Sequence, residues 1–270
     1  MGRRIVCGDI HGNVFALRQC LERSKFDYEK DQLITIGDLV DGWKYVYEVI
    51  EELLKIKNRI DIRGNHDDWF IDFLKDDYSK HPTMWDQGAE GTLASYCRNL
   101  GFNYEIISKT WDDYHQRWIT KCATDMKNTD VPQSHRDLFL NMKLHHSDFK
   151  NNFFVHGGFD RNQYIDYLTF ANPTDFYWNR SLWEKALCFQ DNGEDNDFFI
   201  AENFKQIFIG HSCTLKWDQT STPMHAAKKI WNVDTGAGWY GRLTFMDVDT
   251  FEYWQSDTCK EIFKDETTTR

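Results

Sequence analysis

No stretch of this 270-residue chain approaches the ~20 consecutive apolar residues of a membrane span, which excludes a helical integral membrane protein. The opening MGRRIVCGD also lacks the apolar core of a signal peptide. Its Met-Gly start matches a myristoylation signal only in part, because position 6 is Val6 and not Ser or Thr. The expected compartment is the cytoplasm. Cysteine pairs are missing too. The 7 cysteines are scattered, odd in number and without a C-x-x-C pair, which argues against a disulfide framework or a zinc knuckle. Positive charge is in deficit: the formal net charge is -11, so no overall field draws the chain to nucleic acid or to an anionic membrane. A phosphate would have to be attracted locally, by metal ions or a few arginines. No internal repeat and no low-complexity linker is present, so 1–270 reads as a single domain.

What is there is a globular composition. Hydrophobic residues make up 41% and charged residues 28%, enough for a substantial core. The 11 Trp, 12 Tyr and 20 Phe suggest bulky packing and an aromatic-rich groove. Along the chain, RRIVCGD reads as a short buried strand. NVFALRQCLERSKFD then places Val14, Leu17 and Leu21 at helical spacing. QLITIGD is a second buried strand. KYVYEVIEELLKIK is a helix with Val46, Val49, Ile50, Leu53 and Leu54 on one face, and RIDIRGNHD is a third strand. Strand, helix, strand, helix, strand predicts parallel pairing with right-handed crossovers. From about 69 to 150 the strand signal fades, and a mostly helical cap insertion is expected. NNFFVHGG and QIFIGHS resume buried strands. The run KIWNVDTGAGWYGRLTFMDVDTFEYWQSD reads as consecutive antiparallel strands.

Each of these strands ends in a group able to bind metal. The first gives Asp9 and His11, the second Asp38, the third Asn65 and His66, and the later two give His156 and His211. Carboxyl ends of parallel strands are where open α/β sheets place their ligands. Carboxylate with imidazole suits Mn, Fe, Zn or Ni better than Ca or Mg. Seven such ligands are too many for one tetrahedral ion and fit two, roughly 3.5–4 Å apart, sharing a carboxylate.

GDIHG, GDLVDG, RGNHD, VHGG and GHS, in this order, resemble the signature of the calcineurin-like metallophosphoesterases, in the bacterial and phage form of their phosphoprotein phosphatase branch. NVDTGAGWYGRLT is similar to the tail of that branch. The resemblance implies a four-layer α/β/β/α sandwich of two mixed sheets with a helical cap at about 69–150. It implies two divalent transition-metal ions, Mn first and Fe, Zn or Ni as alternatives. Asp9, His11, Asp38, Asn65, His156 and His211 would be ligands, with Asp38 bridging. His66 would be the general acid, Asp41 the carboxylate that orients it, and Arg180 a phosphate-binding group together with Asn65 and His66. The implied activity is hydrolysis of phosphomonoesters by metal-activated hydroxide, as in serine/threonine protein phosphatases. The alternatives are a dinucleoside polyphosphate hydrolase and a non-catalytic phosphate-binding protein. The substrate partner is a phosphoprotein, a nucleotide or a small phosphoester. One departure stands out: the family reads GD-x-VDRG, and Gly42 stands here where that Arg belongs. Arg161, Arg180 and Lys44 are the candidates to compensate.

Other polar residues get ordinary readings. His81, His115, His135, His145 and His146 are expected at the surface or groove of the cap, and His225 has no assigned role. Cys7 and Cys213 are expected as small buried hydrophobes. The acidic stretch from Asp191 to Asp197 is expected to be a solvated loop. Trp231, Trp239 and Tyr240 are expected in the core, with a groove as the alternative.

Overall fold

The computed structural model describes residues 2–75, 87–112, 117–191, 198–264 and 266–269. Its first half follows the predicted alternation: β1 (Arg4–Cys7), α1 (Val14–Arg23), β2 (Gln32–Thr35), α2 (Val46–Leu53), β3 (Asn58–Asp61) and α3 (Asn65–Leu74). Then come α4 (Ala89–Leu100), β4 (Tyr104–Asp112), β5 (Arg117–Thr124) and α5 (Gln133–Leu140). The second half holds β6 (His145–Ser147), β7 (Phe153–Val155), α6 (Ile165–Ala171), α7 (Asp175–Trp178), α8 (Ser181–Asp191), β8 (Ile207–Ile209), β9 (Met224–Ala226) and β10 (Ile230–Asn232). Last are β11 (Thr244–Asp247), β12 (Tyr253–Gln255) and α9 (Cys259–Ile262).

Among the described residues two five-stranded sheets form, in the orders β12-β11-β1-β2-β3 and β6-β7-β8-β10-β9. β1, β2 and β3 run parallel, as do β7, β8 and β10. The sheets face each other across Val6, Ile34, Ile36, Ile62, Phe154, Phe208, Val233 and Met246, all fully buried. A second cluster, with Leu17, Val49, Ile50, Phe70 and Tyr96, packs helices on the outside of the first sheet. A third, with Leu168, Phe176, Leu182 and Trp183, does the same for the second sheet. That is the expected α/β/β/α sandwich. The local causes are legible. β1 and β2 are buried apolar runs. α1 is capped by Asn13, whose side-chain Oδ1 accepts the Ala16 N–H at 3.0 Å.

Two segments differ from expectation. The region 69–150 holds the helices α4 and α5, but it also holds the β4–β5 hairpin, which the mostly helical reading lacked. Among the described residues those strands pair only with each other, and they leave Ile106 and Ile107 exposed, so they carry no buried-strand pattern. The C-terminal run is not a continuous meander. β10 joins the second sheet, beside β8 and β9, whereas β11 and β12 complete the first. The loop between them must cross from one sheet to the other.

Single residues differ as well. His135 is fully buried, bonded to the Tyr96 hydroxyl at 3.0 Å and to Glu51 at 2.8 Å, and is not a surface group. His225 lies in β9 and stacks on Trp231 at 4.3 Å. The cysteines, by contrast, follow the sequence: all seven are thiols, with Cys7 and Cys213 buried. His81, His115 and the acidic stretch 192–197 lie outside the described residues.

Candidate metal centre

Six parallel strands, three from each sheet, point their carboxyl ends at one place. The residues just past those ends are Asp9, Asp38, Asn65, His156, His211 and Asp234. Asp234 was missed in the sequence because NVDTG was read within an antiparallel run. The available signal was the same one that found Asp9 and Asp38: an Asp directly after a buried strand, with glycine beside it.

Asp38 is the hub. Its Oδ2 lies 3.5 Å from His11 Nε2, 3.4 Å from His156 Nε2 and 3.9 Å from His66 Nε2. Two clusters of donor atoms share it, His11–Asp38–His66 and Asp38–His156–His211, each within 4.8 Å. Asn65 Oδ1 is 3.2 Å from His156 Nε2, and Asp9 Oδ2 is 4.0 Å from His11 Nε2. The ring orientations are set from behind. His156 Nδ1 lies 2.8 Å from the Ile36 carbonyl and His11 Nδ1 lies 3.0 Å from the Val40 carbonyl. A carbonyl only accepts, so these nitrogens carry the protons and the Nε2 lone pairs point inward.

The backbone is bent to make this approach possible. His11, Asp38, Asp41 and His211 all have left-handed φ, between 48° and 64°. Such residues each store about 1–3 kcal/mol of strain and cluster at functional sites. Close contacts demand glycine. A Cβ on Gly210 would fall 2.1 Å from Asp9 Oδ1, and one on Gly64 would fall 2.1 Å from Asp38 Oδ1. Asp67 binds the loop from within: its carboxylate accepts the N–H groups of Asp38 at 2.7 Å, Leu39 at 2.9 Å and Gly64 at 2.9 Å.

The electrostatics are those of a cation site. Asp9, Asp38, Asp41, Asp67 and Asp234 are all buried. Burial, reinforced by Asp234 and Asp38, pushes the Asp9 carboxyl well above the usual range. Burial and then Asp38 push Asp67 up to about 7. For Asp38 the rise from burial is overcome by His156, His66 and His11, so it stays ionised. His156 is opposed by burial yet raised to about 9 by Asp38 and Asp9. Carboxylates that pull a proton onto a fully buried imidazole carry uncompensated negative charge. His211, by contrast, is held well below the ordinary value by burial and by the neighbouring His156 and Arg180. Its Nε2 and Asp9 Oδ1 are buried with no hydrogen-bond partner among the described residues. Orphaned lone pairs beside excess carboxylate are what divalent cations satisfy, and the O/N donor set fits a first-row transition metal.

Residues 2–222 match the family model of the calcineurin-like phosphoesterases. The chain belongs to that family. Phosphoric ester hydrolysis is the family's chemistry. Among curated proteins, this phosphoesterase is similar to a symmetrical bis(5'-nucleosyl)-tetraphosphatase of Buchnera aphidicola, at 43% identity over 121 residues. That match covers 38% of this chain and 44% of the relative, less than half its length. Among solved structures it resembles a candidate diadenosine tetraphosphatase, with TM-score 0.56, 16% identity and coverage of 94% and 92% of the two chains. It also resembles a protein serine/threonine phosphatase from Saccharomyces cerevisiae, with TM-score 0.55, 12% identity and coverage of 99% and 83%. At these identities the likeness is one of fold.

In this phosphoesterase His66 has its own support, distinct from the ligand cluster. Its Nδ1 lies 2.8 Å from Asp41 Oδ2. The other Asp41 oxygen accepts the Thr92 hydroxyl at 2.6 Å, and Thr92 Oγ1 accepts the Asp41 N–H at 2.9 Å. Thr92 comes from α4 and has no motif around it; sequence reasoning had no means of finding it. Trp69 stands edge-on to His66 at 4.9 Å, and Trp178 edge-on to His211 at 5.8 Å. Beside His211 opens a cleft of about 360 Å³, lined in part by Arg180, Gln87, Lys216, Asp234 and the exposed Trp239. Arg180 thus lines the cleft beside His211. Arg161 does not: its guanidinium donates to the Phe199 carbonyl and stacks on Phe198. Lys216 is a cation in the cleft that sequence reasoning did not weigh.

Proposed function

We propose that this chain hydrolyses phosphomonoesters at a two-metal centre, as protein serine/threonine phosphatases do. Asp9, His11 and Asp38 would hold one ion, and Asn65, His156 and His211 with Asp38 the other, with manganese first among the candidates and iron, zinc or nickel as alternatives. Divalent ions in such a site act as Lewis acids on phosphoryl oxygens and acidify water. The chain's own residues do the rest. Arg180, with Lys216 in the same cleft, orients the phosphoryl group by charge-assisted hydrogen bonds. His66 gives its Nε2 proton to the departing oxygen while Asp41, held by Thr92, keeps the imidazole aligned. His66 Nε2 also lies near the metal ligands, but farther from Asp38 than those of His11 and His156, in keeping with a proton donor and not a ligand.

The observation that carries this reading is the His66–Asp41–Thr92 chain. An alkoxide leaving group needs a proton, whereas a nucleotide leaving as a phosphate does not. A second reading, hydrolysis of dinucleoside polyphosphates, is favoured by the tetraphosphatase relative and by the exposed Trp178 and Trp239, which offer faces for a base. The experiment is turnover by metal-stripped protein reloaded with manganese. An aryl phosphate, a phosphoserine peptide and a dinucleoside tetraphosphate are compared. Metal-dependent turnover with preference for the phosphopeptide supports the first reading; preference for the tetraphosphate replaces it with the second. No metal-dependent turnover of any of them would leave a phosphate-binding role.

A further inference from the structure

The Gly42 turn is clipped to the start of α4 by a residue more than two hundred positions away. Gly42 follows Asp41 and has a φ of 99°, a conformation few other residues adopt. Its N–H donates to the Gly88 carbonyl at 3.3 Å, just before α4. Thr269 closes the junction. Its N–H donates to the Gly42 carbonyl at 3.0 Å, and its hydroxyl lies 2.6 Å from that carbonyl and 3.0 Å from the Gly88 carbonyl. A Cβ on Gly91 would come within 2.9 Å of both the Gly42 oxygen and the Thr269 hydroxyl, so α4 must be bare there for the three pieces to meet. The segment leading to Thr269 is itself held. Phe263 stacks on Trp43 at 3.9 Å, the Tyr45 hydroxyl donates to Glu266 at 2.8 Å, and the Thr268 hydroxyl donates to the Gly238 carbonyl at 3.1 Å.

The two joined pieces carry the two residues behind His66. Asp41 sits on the turn and Thr92 on the helix, 51 residues apart in the chain. Asp41 is itself left-handed, with a φ of 64°, a state that persists only where its surroundings enforce it. We infer that Thr269 is a positioning residue for the acid: it locks the Gly42 turn to α4 and so fixes the Asp41–Thr92 pair that aligns the His66 imidazole. The inference rests on the acid role proposed for His66.

The test uses the full, manganese-loaded chain as wild type, Thr269→Val, Thr269→Ser and Gly91→Ala. Two quantities are read: amide hydrogen exchange in peptides covering 39–45 and 88–94, and kcat on phosphomonoesters whose leaving groups run from nitrophenol to an alkyl alcohol. Thr269→Val and Gly91→Ala should speed exchange in both segments. They should cut turnover of the alkyl ester about tenfold or more while leaving the nitrophenyl ester within about twofold, because only poor leaving groups need the acid. Thr269→Ser should behave as wild type. Alanine is the better helix former, so faster exchange in Gly91→Ala cannot come from helix propensity. Unchanged exchange in Thr269→Val, or an equal fall for all esters, would overturn the inference. If wild type turns over no ester while Thr269→Val still exchanges faster, the acid reading fails and the clip alone survives.

Discussion

At the scale of single residues, chemistry and strain coincide. The left-handed φ values of His11, Asp38, Asp41 and His211 fall on the side chains that converge, while His66 is held by the Asp41 carboxylate, which in turn accepts the Thr92 hydroxyl. Replacing His66 with Asn should lower kcat on alkyl phosphates by roughly 10²–10⁴. Bound metal, measured by elemental analysis, should stay at the wild-type ratio; loss of one equivalent would make His66 a ligand instead. Away from the site, His135 gives a stability prediction. Burial lowers its pKa despite the pull of Glu51, so the folded state resists the proton that the unfolded chain accepts. Its contribution is intact above the ordinary histidine value of 6.5 and is lost as pH falls below it. Urea unfolding at pH 7.5 and 5.5 should therefore show a larger loss of stability for wild type than for His135→Gln.

At the scale of elements, short strands deliver the ligands and helix ends secure them. α1 begins at Val14, two residues after Gly12, and the Asn13 side chain does two jobs: its Oδ1 caps the Ala16 N–H and its Nδ2 donates to the Cys259 sulfur at 3.1 Å. Asn13→Ala should cost about 1–2 kcal/mol in chemical denaturation, above the usual peptide value for a cap because both bonds are buried. A surface-like change of a few tenths would show that the cap is redundant. α4 contributes differently. It packs its Leu93 and Tyr96 into the same core as α1 and α2, so the segment after α3 belongs to the outer helical layer and brings Thr92 to Asp41. The β4–β5 hairpin has no such anchoring in either sheet.

At the scale of the whole molecule, the inter-sheet core is what holds the two halves of the site together. Phe154 and Phe208, register partners on β7 and β8, stack at 5.1 Å and present one aromatic face of the second sheet to that core. Phe208→Ala should destabilise by about 3–5 kcal/mol and should weaken metal binding, since His156 and Asp9 belong to different sheets. Bound metal should in turn stabilise the fold. Each site filled at a hundredfold excess over its Kd adds about 2.7 kcal/mol. Chelation should lower Tm by several degrees and manganese should restore it; a Tm indifferent to chelator would remove the metal from the account. No helix among the described residues is long and apolar enough to cross a membrane.

The sequence by itself determined the strand–helix alternation, because short continuous apolar runs and helical faces of period 3.6 are local properties of the chain. It also determined where Asp9, Asp38, Asn65, His156 and His211 sit, because each follows the end of a strand within a few residues and has glycine beside it. Tertiary structure alone decided the rest. Asp234 became a member of the site only when β10 left the C-terminal run for the second sheet, a choice made by packing against β8 and β9. Thr92 and Thr269 gained their roles through contacts across 51 and 227 positions of chain, which no periodicity encodes. His135, polar and set among polar neighbours in sequence, was buried because Tyr96 and Glu51 satisfy both ring nitrogens, and those partners meet it only after the helices dock.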